Sequence, residues 1–294
     1  MHPLVCHHLL DPRTITMTHS SDPVRDADWL TDHLGDPDIV VADVRWYLDG
    51  RSGRDAYDAG HVPGAVFVDL DTDLAAPPSA AGGRHPLPDP RAFAASMGRL
   101  GIGDESFVVG YDDAGGTIAA RLWWMLDAIG RGSAVLDGGI QAWPNSLSTE
   151  SDPVEPASFT PVPWPHHRLA TADEVAAATL AGGLIVDARS AERFAHGAPI
   201  DPRPGHIPGA RSAPAADNLV DGRFRSPADL ARHYRDLAAI DQPLIAYCGS
   251  GVTACTDLLG LRRAGLGDGR LFVGSWSAWG ADPSRPAAEG PEPG

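Results

Sequence analysis

Residues 245 to 255 read "IAYCGSGVTAC", an apolar run that ends on a cysteine and turns at once through Gly-Ser-Gly. Three chemistries compete for Cys248: a buried structural thiol, a phosphatase-type nucleophile, or a thiol that carries sulfur. In open α/β sheets, ligand sites form beyond the carboxyl ends of strands, where the next helix presents its N-terminus. Cys248 falls at such a junction. Gly249 and Gly251 tolerate the dihedrals that turn successive N–H groups inward, so the segment Gly249, Ser250, Gly251, Val252 and Thr253 can curl around the sulfur. Those donors, with the positive end of the following helix, favour a thiolate over a thiol. A small packed cysteine is the ordinary fate of this residue type, and the glycine loop is what argues against it here. A phosphatase loop would need an arginine after five intervening residues to clamp the phosphoryl oxygens. That position is Ala254, so phosphoryl transfer is set aside. Cys255, two helical turns further on, reads as core packing.

The elements that must hold this loop come twice. "GHVPGA" at 60 to 65 recurs as "GHIPGA" at 205 to 210, each after an apolar strand ending in Asp-x-Arg: "IVVADVR" (39 to 45) and "LIVDAR" (184 to 189). Residues 111 to 143 align without a gap to 247 to 279 with eight of 33 positions identical, a modest score that matters because all four motifs keep their order. Each copy alternates short apolar runs with helical patterns, the mark of an α/β unit with a mainly parallel sheet. In the second copy "PLIAYC" (243 to 248) is a strand, "VTACTDLLGLRRAG" (252 to 265) a helix ending at Gly265, and "RLFV" a returning strand. The first copy repeats this as "FVVGYD" (107 to 112), "TIAARLWWMLDAIG" (117 to 130) and "AVL". The division is therefore a first domain over 23–147, a proline-rich linker over 148–167 and a second domain over 168–281. Residues 1–22 and 282–294 read as disordered, and Met17 is an alternative start.

The 294 residues and 43% apolar content suffice for two cores. A net charge of −16 argues against nucleic acid or an anionic membrane surface as a partner. The three cysteines, Cys6, Cys248 and Cys255, form no disulfide framework, and no Cys/His cluster has zinc spacing. The N-terminus has no continuous apolar signal region, and no apolar run reaches the roughly 20 residues that span a bilayer. A reducing cytoplasm is the expected compartment. "DDAGGT" lacks the P-loop lysine, and no metal, nucleotide or other cofactor is expected.

Two α/β repeats, the Asp-x-Arg strand ends, the paired GHxPGA motifs, a cysteine loop in the second copy alone and a closing "GSWSAW" together resemble the tandem-domain rhodanese sulfurtransferases, over about residues 23 to 281. The resemblance implies two rhodanese-like domains, each a mainly parallel sheet flanked by helices. The second would be catalytic and the first a scaffold, in keeping with Asp112 at the position equivalent to Cys248. "CGSGVT" resembles the loop of the class that uses 3-mercaptopyruvate, whereas thiosulfate enzymes typically place basic residues after the cysteine. The implied reaction moves sulfur from 3-mercaptopyruvate through a Cys248 persulfide to cyanide or a thiol, such as thioredoxin or a low-molecular-weight thiol, and releases pyruvate. Thiosulfate:cyanide sulfur transfer by the same route is the alternative, and a non-catalytic sulfur-carrier module is a third reading.

The donor carboxylate needs a cation. Arg189 and Arg193 fall where the family places substrate-binding arginines, against competing salt bridges to Asp187 or Glu192, with Arg203 a third candidate. Ser250 would polarise the keto oxygen or relay a proton, together with a histidine and an aspartate from the first domain. The expected pair is His61 of "GHVPGA" and Asp55 of "GRDA", with Asp58 competing for the latter. For His61 the alternative is a turn-fixing role shared with His206.

Overall fold

The runs "IVVAD" and "FVVGY" lack the alternation of a half-exposed strand, so both of their faces must be covered, as in a parallel sheet with helices on each side. The computed structural model describes residues 22–151, 153–237 and 244–294. The expectations for residues 1–21, Cys6 and Met17 among them, lie outside the described residues. The two runs form β2 (Ile39–Asp43) and β4 (Phe107–Tyr111) in a five-stranded sheet with β1 (Val24–Arg25), β3 (Val66–Phe67) and β5 (Ser133–Leu136). Its order is β1-β5-β4-β2-β3, with every pairing parallel. Four helices connect these strands: α1 (Ala27–His33), α2 (Gly53–Ala59), α3 (Pro90–Arg99) and α4 (Ala119–Ala128).

The second half repeats the plan. Strands β6 (Ile185–Asp187), β7 (Arg211–Ser212), β10 (Ile245–Tyr247) and β11 (Arg270–Leu271) lie in the order β11-β10-β6-β7, again parallel. An antiparallel hairpin of β8 (Leu219–Val220) and β9 (Arg223–Phe224) stands apart from that sheet. The helices are α5 (Ala172–Leu180), α6 (Ala191–His196), α7 (Pro227–Leu237), α8 (Ala254–Arg263) and α9 (Ser275–Trp279). The first-copy β1 is represented here by a single parallel bridge, Leu169 to Leu271.

The repeat extends to hydrogen bonds. Asp43 lies opposite Tyr111, and Asp187 lies opposite Tyr247. In each copy the arginine two residues after the aspartate turns back onto its carboxylate and onto a glycine carbonyl, Arg45 on Asp43 and Gly60, Arg189 on Asp187 and Gly205. The Asp-x-Arg motif is thus a buried ion pair that closes the strand end against the GHxPGA turn.

The described residues of 148–167 follow the first domain closely. Ser148 and His61 exchange backbone hydrogen bonds of 2.8 and 2.9 Å, and the Ala157 N–H donates to Gly98 O at 2.9 Å. Gly98 permits that approach, since a Cβ there would stand 2.7 Å from Ala157 O. Phe159 packs edge-on against Phe93, and the Trp164 indole N–H donates to Pro88 O.

The tail corrects an expectation. Residues 282–294 were expected to be disordered on composition, yet Ala288 exchanges backbone hydrogen bonds of 2.8 and 3.0 Å with His206, and Gly209 N–H donates to Pro293 O. The Trp279 indole N–H donates to Pro286 O at 2.7 Å. The physical reason is the repeat itself: the strand-like return of Ser148 to His61 and of Ala288 to His206 is the same feature, polar and proline-rich in both copies because it pairs through backbone rather than through an apolar face.

Between the domains, α4 packs on α8, and one continuous apolar cluster runs from Leu122 and Met125 to Leu258 and Leu259. The Thr256 hydroxyl donates to Thr117 O, and Arg168 pairs with Asp127 at 2.9 Å.

Candidate active site

Strand β10 ends at Tyr247, and Cys248 begins the turn into α8. Gly251 has φ +79°, and a Cβ there would lie 2.6 Å from Val273 O, so the turn requires glycine. Its N–H donates to the Cys248 sulfur at 3.2 Å. The Cys248 backbone is held from both sides: its N–H donates to Ser275 Oγ at 3.1 Å, and its carbonyl accepts from Trp276 N–H at 2.9 Å. Ser275 itself sits at φ +51°, where the first copy has Gly139 at φ +60°. A non-glycine residue there is strained by about 1 kcal/mol or more, offset by its hydroxyl's bonds to Cys248 and to Phe272 O.

The first copy shows what the cradle is built to hold. Asp112 takes the place of Cys248, fully buried, and its two carboxylate oxygens accept from the N–H groups of Ala114, Gly116, Ile118 and Ala119 at 2.7 to 2.8 Å. Burial pushes its carboxyl up, and the four donors oppose that shift. The loop geometry is therefore an anion cradle, filled in one domain by a carboxylate and carrying a thiol in the other.

Cys248 opens on a cleft of about 460 Å³ between the domains, walled by Trp46, Tyr47, Arg84 and Arg193 and floored by Gly249, Ser250, Val252 and Thr253. A larger cavity, about 600 Å³ beside α2 and α3, is lined by neither cysteine nor histidine. Ser250 Oγ stands 2.8 Å from His85 Nδ1, and His85 Nε2 stands 3.1 Å from Asp71 Oδ1. A carboxylate only accepts, so Nε2 carries the hydrogen and Nδ1 accepts from the serine hydroxyl. The Trp46 indole N–H fixes Asp71 through its other oxygen at 3.0 Å. Burial pushes the His85 imidazole below its usual range, against the pull of Asp71, so it is neutral near pH 7. The result is a hydrogen-bonded chain from the first domain to the serine two residues past the cysteine.

Comparison with known proteins settles the lineage. The rhodanese-like domain profile matches this chain twice, at residues 26–146 and 171–282. The chain belongs to the rhodanese-like family. It is 42% identical over 283 residues to a protein of Pseudomonas aeruginosa named probable 3-mercaptopyruvate sulfurtransferase, covering 92% of this chain and 99% of that one. A Mycobacterium tuberculosis protein named putative thiosulfate sulfurtransferase is 40% identical over 266 residues, covering 87% and 92%. Among solved structures, that of the Escherichia coli 3-mercaptopyruvate sulfotransferase SseA aligns with a TM-score of 0.77 at 31% identity, over 87% of this chain and 99% of that one.

Within this rhodanese-like pair of domains, the residues expected at the site divide. Cys248, Gly249, Ser250, Val252, Thr253 and Arg193 meet at the cleft, with Gly251 behind them as amide donor. His61 does not reach Ser250. Its ring stacks on Tyr57 at 3.9 Å, and its nitrogens face Tyr57 O and Glu150 O. His206 does the same on Phe194, which is the turn-fixing alternative. Asp55 is an exposed residue of α2's first turn whose N–H caps on Ser52, and Asp58 pairs with Arg54. The structure puts His85 and Asp71 where His61 and Asp55 were expected. Arg189 is also displaced from the expected role: its side chain has no exposed surface and is occupied by Asp187, Asp201 and Gly205 O. Arg203 donates to Arg285 O, and Trp276 is buried core. A signal for His85 was present, since "GRHPLP" (83 to 88) aligns with "GRFRSP" (222 to 227), where Phe224 stands in place of the histidine, whereas every GHxPGA histidine has a histidine counterpart.

Proposed function

We propose that this protein transfers a sulfane sulfur from 3-mercaptopyruvate, through a persulfide on Cys248, to a thiol or to cyanide, releasing pyruvate. One observation carries the reading: the cysteine in its amide cradle lies two residues from a serine wired to a histidine and an aspartate of the other domain. The names of the Pseudomonas and Escherichia relatives support it.

The Cys248 thiolate attacks the substrate sulfur. An S–S bond forms as the C–S bond breaks, and its electron pair passes into the enolate of pyruvate. The Ser250 hydroxyl, donating to His85 Nδ1, takes up the thiol proton of the donor as the neutral His85, held by Asp71, accepts the serine proton, and the same chain returns that proton to the enolate as pyruvate forms, leaving the persulfide anion on Cys248. The Gly251 N–H stabilises negative charge on sulfur. Arg193, whose Nε and Nη2 are engaged by Asp201 at 2.7 and 2.5 Å, keeps Nη1 for the donor carboxylate. The acceptor then attacks the outer sulfur and returns Cys248 as the thiolate. Two half-reactions on one nucleophile give ping-pong kinetics. Thioredoxin or a low-molecular-weight thiol fits as acceptor, in a cytoplasmic setting. No helix of the described residues is long and apolar enough to cross a membrane.

The test is the steady-state rate with 3-mercaptopyruvate and cyanide for wild type and Cys248→Ser, with mass spectrometry of the donor-treated protein. Turnover lost in the variant, and one added sulfur on the Cys248 peptide, are expected. Turnover that survives in Cys248→Ser removes the reading; sulfur acquired by Cys248 only from another protein replaces it with the carrier module.

A further inference from the structure

The loop after Cys248 carries no cation, but the first domain supplies one. Residues 79–86 form a tight reversal in which Ser79 and Gly83 exchange backbone hydrogen bonds of 2.9 and 3.0 Å, and its next residues are Arg84 and His85. The reversal is seated on the second domain. Arg84 N–H donates to Ser277 Oγ at 3.1 Å, and Gly83, at φ +75°, lies so close that a Cβ would stand 2.5 Å from Gly274 O.

From there the Arg84 side chain enters the cleft beside the nucleophile. A Cβ on Gly249 would lie 2.9 Å from Arg84 Nη2 and 2.7 Å from Arg193 Nη2. Two guanidinium groups therefore straddle the residue next to Cys248, and a side chain there would have to push both aside. Their charges are not equivalent. Arg193 is neutralised by the buried Asp201. Arg84 has no carboxylate within ion-pair distance among the described residues; its Nη1 donates to Ile200 O at 3.2 Å, and its buried Nε has no partner. Burial and the neighbouring Arg193 both work against its charge, so an anion bound in the cleft would relieve it.

We infer that Arg84 is the specificity-determining cation of this cleft: with Arg193 it forms an anion subsite over Gly249 that admits a dianionic sulfur donor of the thiosulfate class beside the 2-oxo acid thiol. The inference rests on the persulfide reading of Cys248. With thiosulfate, the Cys248 thiolate attacks the outer sulfur, the S–S bond of the donor breaks, and sulfite leaves with the electron pair while the persulfide anion remains. Charge is conserved, and it develops on the sulfonate oxygens that face the two arginines. A neutral loop thus does not by itself exclude thiosulfate, because the missing cation arrives from the other domain.

The experiment compares kcat and KM for thiosulfate and for 3-mercaptopyruvate in wild type, Arg84→Gln and Arg84→Lys, with melting temperature to check folding. It also measures thiosulfate binding calorimetrically to Cys248→Ser and to Cys248→Ser/Arg84→Gln, which reads the subsite without turnover. Loss of one charge-assisted contact predicts that Arg84→Gln raises KM for thiosulfate about tenfold or more, against a few-fold at most for mercaptopyruvate. Arg84→Lys should recover most of that loss, and thiosulfate affinity in the Cys248→Ser background should fall about tenfold with Arg84→Gln. Equal effects on both donors, no effect, or a lysine variant no better than glutamine would overturn the assignment. Wild-type protein inactive with either donor, but with Arg84-dependent thiosulfate binding, would reject the catalytic reading while keeping the subsite.

Discussion

At the scale of the residue, the side chains that serve the reaction are those that break the internal symmetry. Cys248 faces Asp112 across the repeat, and Arg193 and Asp55 occupy the same position in the first turns of α6 and α2, each N–H capped by a serine, Ser190 and Ser52. His85 faces Phe224, since "GRHPLP" (83 to 88) aligns with "GRFRSP" (222 to 227), whereas Arg84, which concerns the donor rather than the transfer, keeps a counterpart in Arg223. Side chains present in both copies, His61 with His206 and Arg45 with Arg189, hold turns and strand ends instead. Comparing the two copies would have separated these classes, but motif resemblance alone draws the eye to the shared histidine. The relay makes a prediction at this scale. His85 acts while neutral, and burial lowers its proton affinity, so kcat/KM for mercaptopyruvate should stay flat as pH falls through the ordinary imidazole value of about 6.5 and decline only below it. His85→Asn should reduce kcat by about 100-fold and abolish that limb. An unchanged pH profile in the variant would disconnect His85 from the chemistry.

At the scale of the element, the strands and helices were legible because their apolar runs are continuous and their ends are punctuated. The expected helix 252–265 is α8 at Ala254–Arg263, with Gly265 at φ +70° ending it, and the expected strand 107–112 is β4. Residues 282–294, read as disordered on composition, are held by backbone pairing and the Trp279 indole rather than by a periodic apolar face, and 148–167 falls in the gap between the two domain matches. Helix α8 also hides an acid that no pattern reveals. Asp257 is buried in the middle of this region, with Oδ1 accepting from Asn218 Nδ2 at 2.7 Å and Oδ2 without a partner. Burial pushes its carboxyl well above the ordinary value. A group raised in the folded state contributes its stability fully below the unfolded value of about 3.9 and loses it as pH rises through the folded value. Asp257→Asn, which imitates the neutral acid, should therefore melt at or above the wild-type temperature at pH 8 and show a flatter dependence between pH 5 and 8. Parallel melting curves across that interval would contradict the assignment.

At the scale of the molecule, the cleft exists because each domain finishes the other. Arg121 of α4 is fully buried at the seam, donating to Gly251 O across the interface at 2.9 Å and to Leu74 O and His85 O at 3.2 Å. One side chain thereby joins the cysteine loop to the backbone of the relay histidine, at the cost of burying a charge without a carboxylate. Arg121→Ala would strand three carbonyls and leave a void, a loss on the order of 3 kcal/mol or more. Differential scanning calorimetry should show the fall in Tm, and turnover per folded molecule should drop with it; an unaltered Tm and rate would mean the seam is fastened elsewhere. The seam could not be read from sequence, since nothing in "TIAARLWW" distinguishes an arginine facing solvent from one facing another domain.

The reversal that carries Arg84 and His85 lies about 160 residues from the nucleophile it serves, on the domain that has no nucleophile of its own. Choice of donor and execution of the transfer are consequently written in separate stretches of the gene. Changes in residues 79–86 can retune which sulfur compound is accepted while the cysteine loop stays untouched, so new donor preferences are open to selection without passing through a dead enzyme. An exchange of first domains between relatives would then be expected to move the preference along with the exchanged half.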